Sequence, residues 1–204
     1  MKAFWDRKEK PYVLIVFLLP FLWMLGSLLM GQYFPDPGKL LMRLSGIWAC
    51  VFVAAALSVT PLMKIKRFNW LVRYRRFVGL SAFFYSMLHL VIYLLLFAGL
   101  SWRWIRSDLV EKPYIYAGVF ALLVLLALAI TSTKKMMKRL GRNWKRLHRL
   151  IYLATIAIVL HLWWQVKGDT SLAVIFTVVF VMLLGLRLIS NRKKLKKTIV
   201  SATI

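Results

Sequence analysis

RYRRFVGLSAFFYSMLHLVIY, residues 73–93, sets three arginines against a largely apolar run in which one histidine, His89, lies twelve residues past Phe77. An α-helix needs about 20 mostly apolar residues to cross the ~30 Å hydrocarbon layer of a bilayer. Lipid offers no partner to unpaired backbone groups, so such a run must be helical. Five similar runs flank it, giving six expected spans: 12–30, 44–63, 77–100, 114–131, 147–166 and 171–189. The connecting segments carry the breakers: Pro35, Pro37 and Gly38, Pro61 near the end of the second span, Pro113, and Gly168. The expected fold class is an all-α integral membrane bundle, one domain over residues 1–204.

Composition agrees. Of the 204 residues 61% are hydrophobic, and the mean hydropathy is +0.72. A soluble domain is about 45–50% apolar, so lipid is the simplest solvent for the surplus. The net charge of +24 would suit a nucleic-acid binder, but the charges are shut out of the apolar runs and gathered between them, a pattern of membrane topology. The run from residue 12 to 30 is too long for a signal core and lacks a small-residue cleavage site, so it reads as a retained anchor. Cys50 is the lone cysteine, which leaves no internal disulfide and no cysteine-based metal site.

Orientation follows from lysine and arginine. With the N-terminus inside, the inner segments hold four, six, eight and six basic residues, 24 of the 30. Only Lys39, Arg43, Arg103, Arg106, Lys112 and Lys167 fall outside. By the positive-inside rule both termini are cytoplasmic. Trp102, Trp104, Trp163 and Trp164 then fall at the outer boundary and Trp70 and Trp144 at the inner one, as expected of interfacial anchors. No internal repeat is visible.

The chain has three histidines, His89, His148 and His161, each in or at the mouth of an apolar span. Ionisable residues in hydrocarbon are functional-site candidates by default, although a lone histidine more often bridges two helices. Their relative placement favours the first reading. His89 and His161 lie 12 and 14 residues into parallel spans, roughly 18 and 21 Å above the inner boundary. Two imidazoles at matched height can take the two axial faces of one haem iron, and a flat apolar porphyrin fits between helices. His148 lies 13 residues before His161, roughly 20 Å lower, in reach of a second haem or a flavin. Thirteen residues turn a helix through about 220°, so local unwinding or haems set to different sides is required. The third span has Arg75 and Arg76 at the lower level instead of histidine, and these suit propionates or a phosphate. With Arg73, Arg142 and Arg146 they form an inner surface attractive to anionic groups.

There is no glycine-rich nucleotide fingerprint and no Ser–His–Asp constellation. No acidic residue lies inside a span, and ion transport commonly needs one, or a broken helix. A small transporter or structural membrane protein is therefore the weaker, non-redox alternative.

At these residues the sequence resembles the MsrQ family, the haem-binding membrane subunit of the periplasmic methionine-sulfoxide reductase system, grouped with ferric-reductase-like transmembrane proteins and the membrane part of NADPH oxidases. The resemblance rests on residues 73–93, on ITSTKKMMKRLGRNWKRLHRLIYL (130–153) and on HLWWQVK (161–167). It implies an electron-transfer subunit of the bacterial inner membrane, not an enzyme on its own. Electrons would come from the quinone pool or a cytoplasmic flavin reductase and pass through haem b, with FMN as a further cofactor. The acceptor would be a periplasmic molybdenum-containing subunit of the MsrP type that reduces methionine sulfoxide in oxidised proteins. Carried over by position, His89 and His161 are the outer haem ligands and His148 the inner one. The larger oxidases place a fourth histidine where this chain has Arg75 or Arg76, and they carry a C-terminal FAD/NADPH domain for which this chain has no room. A stand-alone ferric or cupric reductase is the competing redox reading, with Asp108 and Glu111 as sparse outer metal-gathering carboxylates.

Overall fold

The structure is a computed structural model that describes residues 10–32, 34–63 and 66–202. Lys2, Arg7, Lys8 and Lys64 of the inner charge count lie outside the described residues. Every regular element among the described residues is helical: α1 (Lys10–Leu29), α2 (Pro37–Leu62), a 3₁₀ segment (Lys66–Arg73), α3 (Arg75–Ile92) running on through a π-helical turn (Tyr93–Phe97), α4 (Trp102–Glu111), α5 (Tyr114–Ile130), α6 (Lys134–Leu140), α7 (Arg142–Leu147), a 3₁₀ turn (His148–Leu150), α8 (Ile151–Gln165) and α9 (Ser171–Ala202).

The chain is a multi-pass membrane protein. Pro37–Leu62, Arg75–Phe97 and Arg142–Gln165 are each long and apolar enough to cross a bilayer, and a fourth crossing is reached if α4 and α5 count as one bent span. Val13–Leu29 and Ser171–Arg187 are shorter apolar helices. The apolar surplus faces outward: Leu14, Ile15 and Val16 on α1, Leu123 on α5, and Val178 and Val181 on α9 are all exposed. Inside, α2 packs along α3 and α5 along α8, and α9 closes against α2. The core holds Phe52, Val53, Ala82, Tyr85, Leu125 and Phe180, with Phe52 and Tyr85 stacked at 5.0 Å.

Boundaries differ from the expected spans where capping chemistry decides them. α2 begins at Pro37, seven residues before the apolar run, because Asp36 accepts a hydrogen bond from the Lys39 amide and proline suits the first helical position. The segment 101–113, expected as a plain connection, contains α4, which meets α5 at 108°. The turn is made at Lys112, which leaves the helical region (φ −125°, ψ 77°) before Pro113, as a residue preceding proline tends to.

Two prolines interrupt the backbone bonding of their helices, and side chains from other helices bond to main-chain groups beside both. Near Pro20 of α1, the Tyr85 hydroxyl accepts from the Phe21 amide and donates to the Phe17 carbonyl, each at 3.0 Å. It bridges the two groups that an unbroken turn would join. In α2, Pro61 has no amide for the Leu57 carbonyl four residues earlier. Buried Arg187 of α9 donates Nε to Leu57 O at 3.1 Å and a terminal nitrogen to Ala56 O at 3.2 Å.

Candidate functional site

The N-terminal ends of α2, α5 and α9 and the C-terminal ends of α3 and α8 surround a cavity of about 760 Å³, and α4 flanks its mouth. His89 from α3 and His161 from α8 both line it. Their ring centres lie 6.3 Å apart with planes at 84°, as their matched depths led one to expect.

Each ring is fixed by a main-chain oxygen. His89 Nδ1 lies 3.0 Å from the Met42 carbonyl and 3.1 Å from the Ser45 hydroxyl, which itself donates to the same carbonyl at 2.9 Å. His161 Nδ1 lies 2.8 Å from the Tyr114 carbonyl. A carbonyl can only accept, so the hydrogen of each neutral ring sits on Nδ1 and Nε2 keeps its lone pair. This is the arrangement in which an outer partner orients a metal-ligating histidine.

Glycine makes the close approach feasible. A Cβ on Gly46 would meet His89 Cε1 at 3.1 Å, and one on Gly118 would meet His161 Nδ1 at 2.9 Å. Gly46 and Gly118 were not singled out from the sequence, because a glycine in an apolar span does not reveal which ring it faces.

The two halves of the site repeat one another. Tyr114 lies 72 positions after Met42, Gly118 after Gly46 and His161 after His89. The same offset pairs Ala49 with Ala121 and Ala82 with Ala154, all four buried, and Leu88-His89-Leu90 with Leu160-His161-Leu162. The expectation of no internal repeat is thereby corrected: one offset of 72 positions relates α2 to α5 and α3 to α8 around the two histidines.

His148 lies at the other end of α8, on the 3₁₀ turn between α7 and α8. That turn winds more tightly than the α-helix that follows it, so the winding is not uniform between His148 and His161. Its Nδ1 is 3.1 Å from the Trp144 carbonyl and its ring lies 4.0 Å from that of Trp144. Trp144 is more than an interfacial anchor, since its Nε1 donates to Thr131 O at 3.0 Å. Arg75 is exposed on the first turn of α3 and close enough to act electrostatically on His148, Tyr152 and Arg187. The Arg187 guanidinium lies 5.8 Å from the centre of the Tyr152 ring. Arg76 follows Arg75, partly buried. Neither arginine lines the histidine cavity. Tyr152 and Arg187 were not recognised as members of this inner cluster.

At the cavity mouth Tyr93 donates to Asp108 Oδ2 at 2.9 Å, and Lys112 Nζ reaches Asp108 Oδ1 at 2.6 Å. Burial works to raise the Asp108 carboxyl, but the hydrogen bonds from Lys112 and Tyr93 outweigh it and hold the group below its ordinary value. Arg43 pairs with Asp169 at 3.8 Å nearby.

Among the described residues no three His, Cys, Asp or Glu side chains gather as a metal site. Two imidazoles alone suit an iron that brings its own four equatorial donors. Metal–nitrogen bonds of about 2.0–2.1 Å, plus about 1.1 Å from a ring nitrogen to its centre, put the centres of two opposed imidazoles about 6.3 Å apart. The observed ring spacing leaves room for such a pair, and the cavity volume lies within the range of about 300–1,000 Å³ usual for bound cofactors.

Comparison with known proteins bears on the same residues. The family described as "Ferric reductase like transmembrane component" matches residues 44–159. The chain is 38% identical over 184 residues to the "Protein-methionine-sulfoxide reductase heme-binding subunit MsrQ" of Ralstonia nicotianae, covering 89% of this chain and 85% of that protein. It is 39% identical to the protein of that name from Rhodospirillum rubrum, with 90% and 89% coverage. For that from Xanthomonas oryzae the identity is 41%, with 81% and 74% coverage.

Proposed function

Because the chain belongs to the MsrQ family of ferric-reductase-like transmembrane proteins, we propose that it carries b-type haem between His89 and His161. On this reading it passes electrons outward across the bacterial inner membrane. The observation that carries it is the pair of imidazoles 6.3 Å apart, each with Nδ1 bound to a main-chain carbonyl. When bound, haem supplies a one-electron carrier whose potential depends on axial ligands, burial and nearby charge.

The chain's own residues then hold, orient and insulate. Met42 and Tyr114 carbonyls fix the tautomers, Gly46 and Gly118 let the rings sit against the neighbouring helix, and Ala121, Leu125 and Phe176 keep water from the deep wall. In line with relatives named as a heme-binding subunit, the protein serves as a subunit of a redox complex. The acceptor is a periplasmic molybdenum-containing methionine-sulfoxide reductase, and the donor is quinol or a cytoplasmic flavin reductase. The six apolar stretches form six crossings within a single domain, 1–204, both termini cytoplasmic. His148, with Arg75 and Arg76, serves a second haem or FMN at the inner end.

In His89→Ala and His161→Ala the low-spin haem spectrum is expected to vanish, with a milder change in His148→Ala. Normal low-spin haem in both outer variants would refute the ligand assignment. The alternative of a stand-alone metal reductase gains nothing here, since Asp108 is already engaged by Lys112 and Tyr93. Reduced protein should be reoxidised faster by the molybdenum subunit than by ferric chelate.

A further inference from the structure

We infer that Lys112 and Arg43 are the residues that receive the two carboxylates of the bound haem, and so fix which edge of it points outward. The inference rests on the proposed histidine-ligated haem and goes beyond it to residues so far described only as ion-pair partners at the mouth. A group carrying two carboxylates cannot leave them in apolar surroundings, since burying an unpaired charge is prohibitively costly. The deep part of the cavity is lined by Ala121, Leu125, Ile158 and Phe176 and offers no cation. Its charged lining residues all sit at the outer mouth: Lys39, Arg43, Lys112 and Lys167 against Asp108 and Asp169. With Asp36 paired to Lys39, these four cations face three carboxylates, so the mouth stays net positive and attracts further carboxylates.

Lys112 is the better placed of the pair. Its side chain is 39% exposed, against 59% for Arg43, and both ride on acids, Asp108 and Asp169, that hold them at the mouth while leaving donors over. A lysine has three donors and an arginine five. Lys39 is 78% exposed and turned to Asp36, which makes it the weaker candidate.

The test uses the full chain, purified with haem bound in a non-ionic detergent free of anionic lipid. Lys112→Gln and Arg43→Gln should keep the low-spin spectrum. Removing a cation beside the haem disfavours the reduced, less positive state. At fixed potential the ratio of reduced to oxidised protein should therefore fall, about tenfold for Lys112→Gln, or 59 mV for a one-electron couple, and less for Arg43→Gln. Transfer of haem to apomyoglobin should quicken in both. Lys112→Arg should restore the wild-type values, and Arg103→Gln, an exposed cation of α4 outside the cavity, should leave them unchanged.

An unaltered midpoint and transfer rate in both glutamine variants would overturn the inference. So would a shift no larger than that of Arg103→Gln, or one seen only after adding phosphatidylglycerol vesicles, which would make the mouth a lipid headgroup site. Should Lys112→Gln fail to fold, the exposed Arg43→Gln decides alone. Absence of a low-spin spectrum in the wild type is a different failure, that of the imidazole pair itself.

Discussion

His89 and His161 could be paired from the sequence because helical rise is a constant, so counting residues from a charged boundary gives depth. What counting cannot give is azimuth, and hence the clamp behind each ring. Met42 and Tyr114 contribute only main-chain oxygens, which leave no trace in residue type, and Gly46 and Gly118 look like any small residue of a membrane helix. Their role is testable. In Gly118→Ala the new methyl would meet His161 Nδ1 at 2.9 Å, and the ring is tied to Tyr114 and has no free retreat. Haem affinity should drop by about tenfold per 1.4 kcal/mol of strain, seen as lower haem occupancy after purification. Gly46→Ala, with its contacts at 3.1 and 3.2 Å, should be milder. Equal, wild-type occupancy in both would show that the rings are not seated against these helices.

Helices are where local chemistry and long-range packing meet. Pro61 was legible as a breaker, and α2 ends one residue beyond it, where Arg187, 126 residues later in the chain, donates to the Leu57 carbonyl that Pro61 has no amide to serve. Arg187→Met would leave the Leu57 carbonyl without a partner, at a cost of about 1–3 kcal/mol. Thermal inactivation should come earlier, and adding Pro61→Ala should recover much of the loss by restoring an amide at the same spot. If the double variant is no better than the single, the repair is not what Arg187 contributes. The helix α4 escaped the sequence reading because ten residues hold too few periodic positions to stand out. It is seated through Asp108, whose lowered carboxyl keeps the contact with Lys112 and Tyr93. That contribution is present above the ordinary carboxylate value and is lost as pH falls through the lowered one. Asp108→Asn should therefore lower the amide protection factors across residues 102–112 at neutral pH, whereas the wild type loses that protection only in acid.

Across the whole molecule the charge asymmetry is a property of the sequence itself, whereas the number of crossings rests on α1 and α9, whose apolar stretches are the shorter ones, and on α5, which is long enough only together with α4. Cysteine labelling resolves the topology, since native Cys50 is buried. Val110→Cys should react with a membrane-impermeant thiol reagent from outside intact spheroplasts, and Lys138→Cys only after permeabilisation. Labelling of both from one side would refute the alternating arrangement. The repeat was hidden because its identities are few and spread through apolar runs in which chance matches are common. Its geometry emerges only when the 47-residue separation of each histidine from its carbonyl is seen twice.

That repeat makes the protein its own twin study. A lesion at Gly46 can be judged against the same lesion at Gly118, within one polypeptide and one lipid bath. Where the siblings have drifted apart, as with Ser45 behind His89 and Ala117 in the matching place, a reciprocal swap would tell whether the divergence was ever put to use.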